Sequence, residues 1–441
     1  RWVAKPAVAY LWARTVACKN CRATIPLLKT RWLCRNNRRR IRLVIEPNPS
    51  RTGVAFSLEP HVPERGGNAA QKRENDKRLG AGTMSRAGAQ CPCCSMIMET
   101  EDIRYEGRNG RLGQMMTAVV VDGPGGKEYR LPTEHERQVA NVEEQDVQRV
   151  FERVPYGIPS EPTPKCGPGA SRAFSVDQYG FDQWRKLFTN RQLMALAAFI
   201  RSSAAAANGK EAGRVAPYLA IACDRLADYC SNVCSWHVSG EKMRNTFGRF
   251  ALPIVWDFTE LCPLTKLSGG YLGAVEWIGC FLEHVLLALA SAEPATVLQQ
   301  SATVGALRGF DVIVTDPPYY DAIPYSDLMD FFYVWLRRTL RDLTRDIDAT
   351  FASPLAPKWN HETEDGELID DAARHGGNAE ASKKAYENGM ARAFQACHAA
   401  LVGHGRLVIV FAHKHPDAWE TLVSAIIRAG FVVDGSWPIS T

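Results

Sequence analysis

The sequence predicts an α/β fold. A parallel sheet with crossover helices fills the carboxy-terminal third, an all-helical insert precedes it, and the front end is β-rich and basic. Three observations carry this expectation. After Pro294, short apolar runs alternate with amphipathic helical patterns, the signature of strand–helix–strand units. Between residues 181 and 293, apolar residues recur at three- and four-residue spacing. Residues 1–133 instead hold short strand-like runs separated by turn residues.

The elements follow in order. Arg42–Ile45 and Val54–Leu58 read as strands, and Thr117–Val121 before Asp122-Gly-Pro-Gly-Gly reads as a hairpin. Residues 60–90 are polar and Gly-rich, the composition of a loop. His135–Val154 fits one polar helix, and residues 155–180 form a Pro/Gly linker. Helices are expected over Gln192–Ala207, Ala216–Trp236 and Gly273–Ala292. Strands at Ala295–Leu298, Phe310–Val314, Arg406–Phe411 and Phe431–Val433 then alternate with helices at Asp327–Leu340, Lys383–Leu401 and Ala418–Ala429. Four regions result: 1–133, 134–180, 181–293 and 294–441.

A chain of 441 residues, 46% hydrophobic and 23% charged, is globular in composition; collagen-like and low-complexity classes are excluded. No window holds 18 uninterrupted apolar residues, so no membrane partner is expected. The net charge of +5 hides an asymmetry: residues 1–150 hold 26 Lys/Arg against 16 Asp/Glu. Residues 1–45 hold twelve basic side chains and no acidic one, with a knot at Arg35, Arg38, Arg39, Arg40 and Arg42. Such a front end suits a polyanion, or is simply a solvated face. Thirteen cysteines, an odd number over a long chain, argue against a secreted disulfide framework. The apolar run Ala7–Ala13 ends at Arg14 and is short for an export signal, so a cytoplasmic protein with reduced thiols is expected.

Asp316-Pro317-Pro318-Tyr319 closes the apolar strand over residues 311–315. Ligands of open α/β sheets bind beyond the carboxyl ends of strands. Paired prolines remove two donors and hold the backbone extended, leaving carbonyl oxygens, a carboxylate and an aromatic face. Methyl transfer to an exocyclic amine needs such a set. The carbonyl oxygens and the Asp316 carboxylate would accept the amine N–H bonds while Tyr319 stacks on the ring, with positioning supplying much of the rate. The plainer alternative is a Pro-rich turn after a buried strand.

Two CxxC knuckles, Cys18-Lys-Asn-Cys21 and Cys91-Pro-Cys-Cys94, can close a tetrahedral thiolate zinc site. The 69 residues between them exceed the usual ribbon spacing. Cys93 competes with Cys94 as ligand, and Cys34 reads as core. Beside the ribbon, Gly107–Gly113 offers Arg108, Arg111 and exposed backbone N–H groups to phosphates. Trp12 and Trp32 are either core or base-stacking. Cys223, Cys230, Cys234 and His237 form a third group that reads as helix packing before it reads as metal. His413 and Lys414 follow a strand and either line a pocket or cap it.

The segment Asp316-Pro-Pro-Tyr-Tyr-Asp-Ala-Ile-Pro-Tyr-Ser-Asp-Leu and then Asp330-Phe-Phe-Tyr-Val-Trp-Leu-Arg-Arg resembles the adenine-specific DNA methylases that contain a zinc ribbon. The likeness extends through Ser235-Trp-His, Asn245-Thr-Phe, Leu252-Pro-Ile-Val-Trp-Asp-Phe, Phe411-Ala-His-Lys and Ser436-Trp-Pro-Ile, and includes the split knuckles. The resemblance implies a Rossmann-like, S-adenosylmethionine-dependent amino-methyltransferase of prokaryotic type with DNA as partner. It implies acceptor roles for Asp316 and Pro317, stacking by Tyr319 and a structural zinc. The target adenine would be flipped out of the duplex and methylated at N6. One departure stands out: the family's Gly-rich cofactor loop has no counterpart. Gly269-Gly270-Tyr271-Leu272-Gly273 lacks a preceding strand and reads as a helix-capping loop. The chain begins at Arg1, and the expectation is a fragment whose cofactor loop lies upstream. Ser301 and Ala302, with Asp316, are then the remaining cofactor candidates. Cytosine-N4, RNA or protein-glutamine methylation, and a catalytically inactive nucleic-acid-binding module, stay open as alternatives.

Overall fold

The computed structural model describes residues 5–64, 66–206, 212–265, 269–305 and 307–438. Arg1, the helix end expected at Ala207, and Ile439 of the last resembling segment lie outside them. The chain is mixed α/β and divides into two units: 1–165 with 175–290 and 331–354, and 166–174 with 291–330 and 355–441.

The first unit is built on β1 (Ala7–Ala17), the run that superficially resembled an export signal. It is apolar almost throughout because it is central: nearly every residue is buried, on both faces. Next come β2 (Thr24–Leu27), β3 (Trp32–Arg35), β4 (Arg40–Pro47) and β5 (Val54–Glu59). After α1 (Ala69–Leu79) lie the short strands β6 (Met84–Ser85), β7 (Gly88–Gln90) and β8 (Ile97–Met98), then α2 (Thr100–Arg108). The hairpin of β9 (Gly113–Gly123) and β10 (Gly126–Arg130) leads to α3 (Glu134–Val139) and α4 (Glu144–Phe151). Helices α5 (Asn190–Ala206) and α6 (Ala212–Tyr229) precede β11 (Ser235–His237), β12 (Lys242–Arg244), β13 (Asp257–Leu261) and α7 (Tyr271–Ala288).

The main sheet runs β10-β9-β1-β13, all antiparallel, with β2 pairing the end of β1. Irregular register between β1 and β9, at Ala7/Ala9 and Leu11/Trp12, curls it. Arg14, the residue that interrupts the apolar run, is buried. Its guanidinium donates to Val255 O at 2.8 Å and to Asn232 O and Oδ1 at 3.0 and 2.9 Å, between the rings of Phe181 and Phe258. Burial lowers its pKa to about 9.

The second unit holds β14 (Phe310–Thr315). Helix α8 (Tyr325–Thr339) starts in it and α9 (Arg345–Thr350) belongs to the first unit. The hairpin of β15 (Trp359–Asn360) and β16 (Asp365–Gly366), then α10 (Ala379–Ala400), β17 (Leu401–Ile409) and α11 (Pro416–Arg428), complete the second unit. β14 and β17 pair in parallel, Val312 to Arg406 through Thr315 to Ile409. Leu407 and Ile409 of β17 pack against Tyr386, Met390, Phe394 and Leu422 of α10 and α11.

Several expectations are corrected. Ala295–Leu298 and Phe431–Val433 are not strands; neither finds a partner strand among the described residues, and Val297 and Val432 are each 90% exposed. The stretch 181–293 is not all-helical, since β13 belongs to the main sheet. The stretch 60–90 contains α1, whose charged residues have good helix propensity and whose start is a capping box of Asn68 and Gln71. Trp32 Nε1 donates to Asp76 O at 2.9 Å and Arg40 pairs with the Asp76 carboxylate, tying α1 to β3 and β4. The polar helix of residues 135–154 is two helices, broken between Val139 and Glu144. By length and composition α7 could cross a membrane, and only Ala274 in it is buried; Glu276, Glu283 and His284 interrupt its apolar sequence.

Candidate metal centre and acceptor loop

The two knuckles are the same turn built twice. Cys18 N–H donates to Ala23 O at 2.9 Å and Cys91 N–H donates to Met96 O at 2.8 Å, each to the residue five positions on. Arg22 N–H donates back to Cys18 O at 3.0 Å and Ser95 N–H to Cys91 O at 2.9 Å. Both closing residues are left-handed, φ 62° at Arg22 and at Ser95. A side chain held there costs roughly 1 kcal/mol or more, a strain that a closed chelate turn makes intelligible.

The turns bring four thiols together. The Cys18, Cys21, Cys91 and Cys94 sulfurs all lie within 4.8 Å of one another, with Cys18–Cys94 at 3.6 Å and Cys21–Cys91 at 3.7 Å. A tetrahedron of sulfurs about a zinc at roughly 2.3 Å has edges of about 3.8 Å, so the set fits a single such ion. Cys18 and Cys91 are buried, Cys94 half-buried and Cys21 exposed. The Met96 backbone N–H, and after it the Asn20 side chain, pull the Cys94 thiol down to about 6, while burial pushes Cys91 up to about 12. Cys93 is turned away, its Sγ donating to Gly53 O at 3.3 Å, which removes it as a competitor. Ile25, Leu27, Met98, Ile103 and Trp256 pack around the knot. Among the described residues no other group of cysteine, histidine and carboxylate side chains is gathered this way. Cys223 contacts Ser203 Oγ at 3.4 Å and Cys234 contacts Ser231 Oγ at 3.5 Å, as buried thiols in a packing face. All thirteen cysteines are free thiols.

The basic knot is largely paired within the chain. Arg35 and Arg40 face Asp76, Arg39 meets Glu241 at 3.0 Å, and Arg42 binds Glu59. Arg108 meets Glu101 at 2.6 Å and Arg111 meets Glu106 at 2.6 Å. Of the seven arginines, only Arg38 has an exposed side chain without a carboxylate partner among the described residues. Trp12 and Trp32 are core residues, Trp12 stacked on Phe258 and covered by Arg191, Trp32 covered by Arg40.

In the second unit Asp316 follows directly on the carboxyl end of β14. Asp316 is exposed, and Pro317, Pro318 and Tyr319 are half-buried. The Asp316 carboxylate, hydrogen-bonded to the Tyr319 hydroxyl, raises that phenol's pKa. Tyr319 meets the edge of Phe411 at 5.4 Å. The Pro317 carbonyl has no partner among the described residues. The Pro318 carbonyl is committed, accepting from Tyr386 Oη at 2.8 Å and from Tyr320 N–H at 3.0 Å. Tyr320 is left-handed, φ 55°, and wedged between Tyr386 and His413.

From sequence, His413 either lines a pocket or caps a strand, and nothing in the local pattern singles out Asp321. His415 N–H donates to His413 Nδ1 at 3.1 Å, so Nε2 carries the proton and donates to Asp321 Oδ1 at 3.1 Å. His413 thereby anchors the turn behind Tyr319; Lys414 is exposed. Ser301 does not stand at a strand end. Its Oγ donates to Asp365 Oδ1 at 2.9 Å, and Ala302 beside it is exposed. Gly270 is the N-cap of α7, as expected of a helix-capping loop. Four cavities among the described residues, of about 60 to 600 Å³, are lined by residues of the first unit and not by the Asp316–Tyr319 loop. Comparison of this chain with models of protein families, with curated proteins and with solved structures found no match.

Proposed function

We propose that the protein is an amino-methyltransferase acting on the N6 nitrogen of an adenine extruded from DNA, with a structural zinc in the four-cysteine knot. The observation that carries this reading is the acceptor set immediately after β14: an exposed carboxylate at Asp316, an unpartnered Pro317 carbonyl and the Tyr319 ring. Strand ends in α/β units are where ligands bind, and two rigid oxygens can take both N–H bonds of one amino group. Holding those bonds favours a more tetrahedral nitrogen and frees its lone pair. The Asp316 charge disperses the positive charge that develops on the nitrogen. Tyr319, braced by Phe411, offers a ring for stacking. The methylated nitrogen is strongly acidic and releases its proton to water, so no cysteine is needed as base or nucleophile.

S-adenosylmethionine as methyl donor rests on the family resemblance alone. The described residues form no glycine-rich cradle for it, and Ser301 is engaged by Asp365. The zinc fits better: four thiols within 4.8 Å of one another, two of them buried, would hold it as a closed structural site. A second reading, an inactive zinc-ribbon module that binds nucleic acid, is favoured by the gathered cysteine knot together with the lack of a glycine-rich cofactor cradle among the described residues.

The test is incubation with methyl-labelled S-adenosylmethionine and DNA, followed by mass spectrometry of the released nucleosides. N6-methyldeoxyadenosine is the expected product. Label in cytosine, RNA or protein glutamine would move the activity to another amine, and no label in any of them would leave the module reading.

A further inference from the structure

The segment Gly107–Gly113 forms one wall of a cleft in the first unit, with a cavity of about 280 Å³. Its other wall is the chain from Tyr179 to Leu193. Two glycines hold the walls together. A Cβ at Gly107 would meet Tyr179 O at 2.5 Å, and one at Gly180, φ +82°, would meet Gly107 O at 2.3 Å. Backbone thus lies directly on backbone where the walls meet.

Three cations line this cleft, Arg108, Arg185 and Lys186, and no acidic residue does. Their carboxylate partners, Glu101 at 2.6 Å, Glu144 at 2.5 Å and Asp182 at 2.6 Å, stand outside the lining. Ion pairs near the surface contribute only about 0–1 kcal/mol each, so a phosphate entering the cleft can compete for the same cations. Phe181 supplies an apolar wall and packs against the core cluster that contains Cys18 and Cys91. The cleft and the cysteine knot therefore share one rigid support.

We propose that this cleft binds a DNA phosphodiester through Arg108, Arg185 and Lys186. The proposal rests on the reading that the protein acts on nucleic acid, and it assigns the strand a place beside the cysteine knot. The volume accepts one phosphate with part of its sugar, and the exposed turn at Arg108–Gly110 lets a backbone strand approach closely.

The experiment measures binding of the full chain to a short DNA duplex by fluorescence anisotropy across a salt series. Each lost phosphate contact lowers the slope of log affinity against log salt by about 0.9. The Arg108→Gln, Arg185→Gln, Lys186→Gln triple variant is expected to lower it by about 2 to 3. Arg137→Gln with Arg149→Gln, on α3 and α4 and outside the cleft, is the control, with slopes compared per charge removed. Metal content and thermal melting report folding, and Lys186→Gln alone, at an exposed side chain, gives the single-contact value if the triple variant misfolds. An unchanged slope in the variants, an equal drop in the control, or a cleft that takes inorganic phosphate without affecting DNA binding would each overturn the proposal. Methylation of DNA with unchanged slopes would sink the cleft and spare the enzymatic reading. Failure of the wild-type chain to bind DNA at all would sink both.

Discussion

Replacing Cys91 with serine removes one of the two buried thiols of the knot and leaves three ligands. A metal joining the knuckles closes a loop of 70 residues between Cys21 and Cys91. Treated as a cross-link on the unfolded chain, that closure restricts it by about 4 kcal/mol. Cys91→Ser should lower the stability of the first unit by about that amount and abolish stoichiometric zinc. Cys93→Ser should do neither, because Cys93 Sγ donates to Gly53 O, a contact that a hydroxyl can also make. Metal analysis of the three purified proteins, with denaturant unfolding, reads both quantities. Zinc retained at about one per chain in Cys91→Ser, or lost in Cys93→Ser, would refute the assignment of the four ligands.

Three further outcomes follow from single side chains. Glu161→Ala leaves Arg338, 1% exposed and 3.0 Å from that carboxylate, as a buried unpaired cation, and should destabilise the first unit by about 3–5 kcal/mol in urea unfolding. Burial raises Asp257 from 3.8 to about 6. The folded state then holds a proton that the unfolded state releases, so stability should fall as pH rises from about 4 to about 6, by at most about 3 kcal/mol. Asp257→Asn should flatten that slope in unfolding curves measured across the window. Tyr319→Phe keeps the ring and should retain most methylation, whereas Tyr319→Ala should lose it at least about tenfold, a contrast that steady-state rates decide.

The knuckles were legible because a CxxC turn is local: spacing alone brings two sulfurs together, and the structure joins two such turns across 69 residues. The β9–β10 hairpin, α5, α8, α10 and α11 were legible from periodicity and turn residues for the same reason. What depended on distant partners was not. Ala7–Ala13 gave no period to read because β1 is covered on both faces, and Ala295–Leu298 looked like a strand but has no partner. The arginine knot looked free because its partners, Asp76 and Glu241, are far along the chain. The cleft of Arg108, Arg185 and Lys186 exists only because Gly107 meets Gly180, a contact that no local pattern announces.

The central chemical claim is that Asp316 and its neighbours hold an amino group for alkylation. It is tested most directly by comparing methyl transfer to DNA by the wild-type protein and by Asp316→Ala, with donor binding followed by calorimetry in parallel. Wild-type labelling of adenine, lost in the variant while its donor affinity stays within about twofold, is the predicted result. Equal labelling by the two proteins would contradict the account.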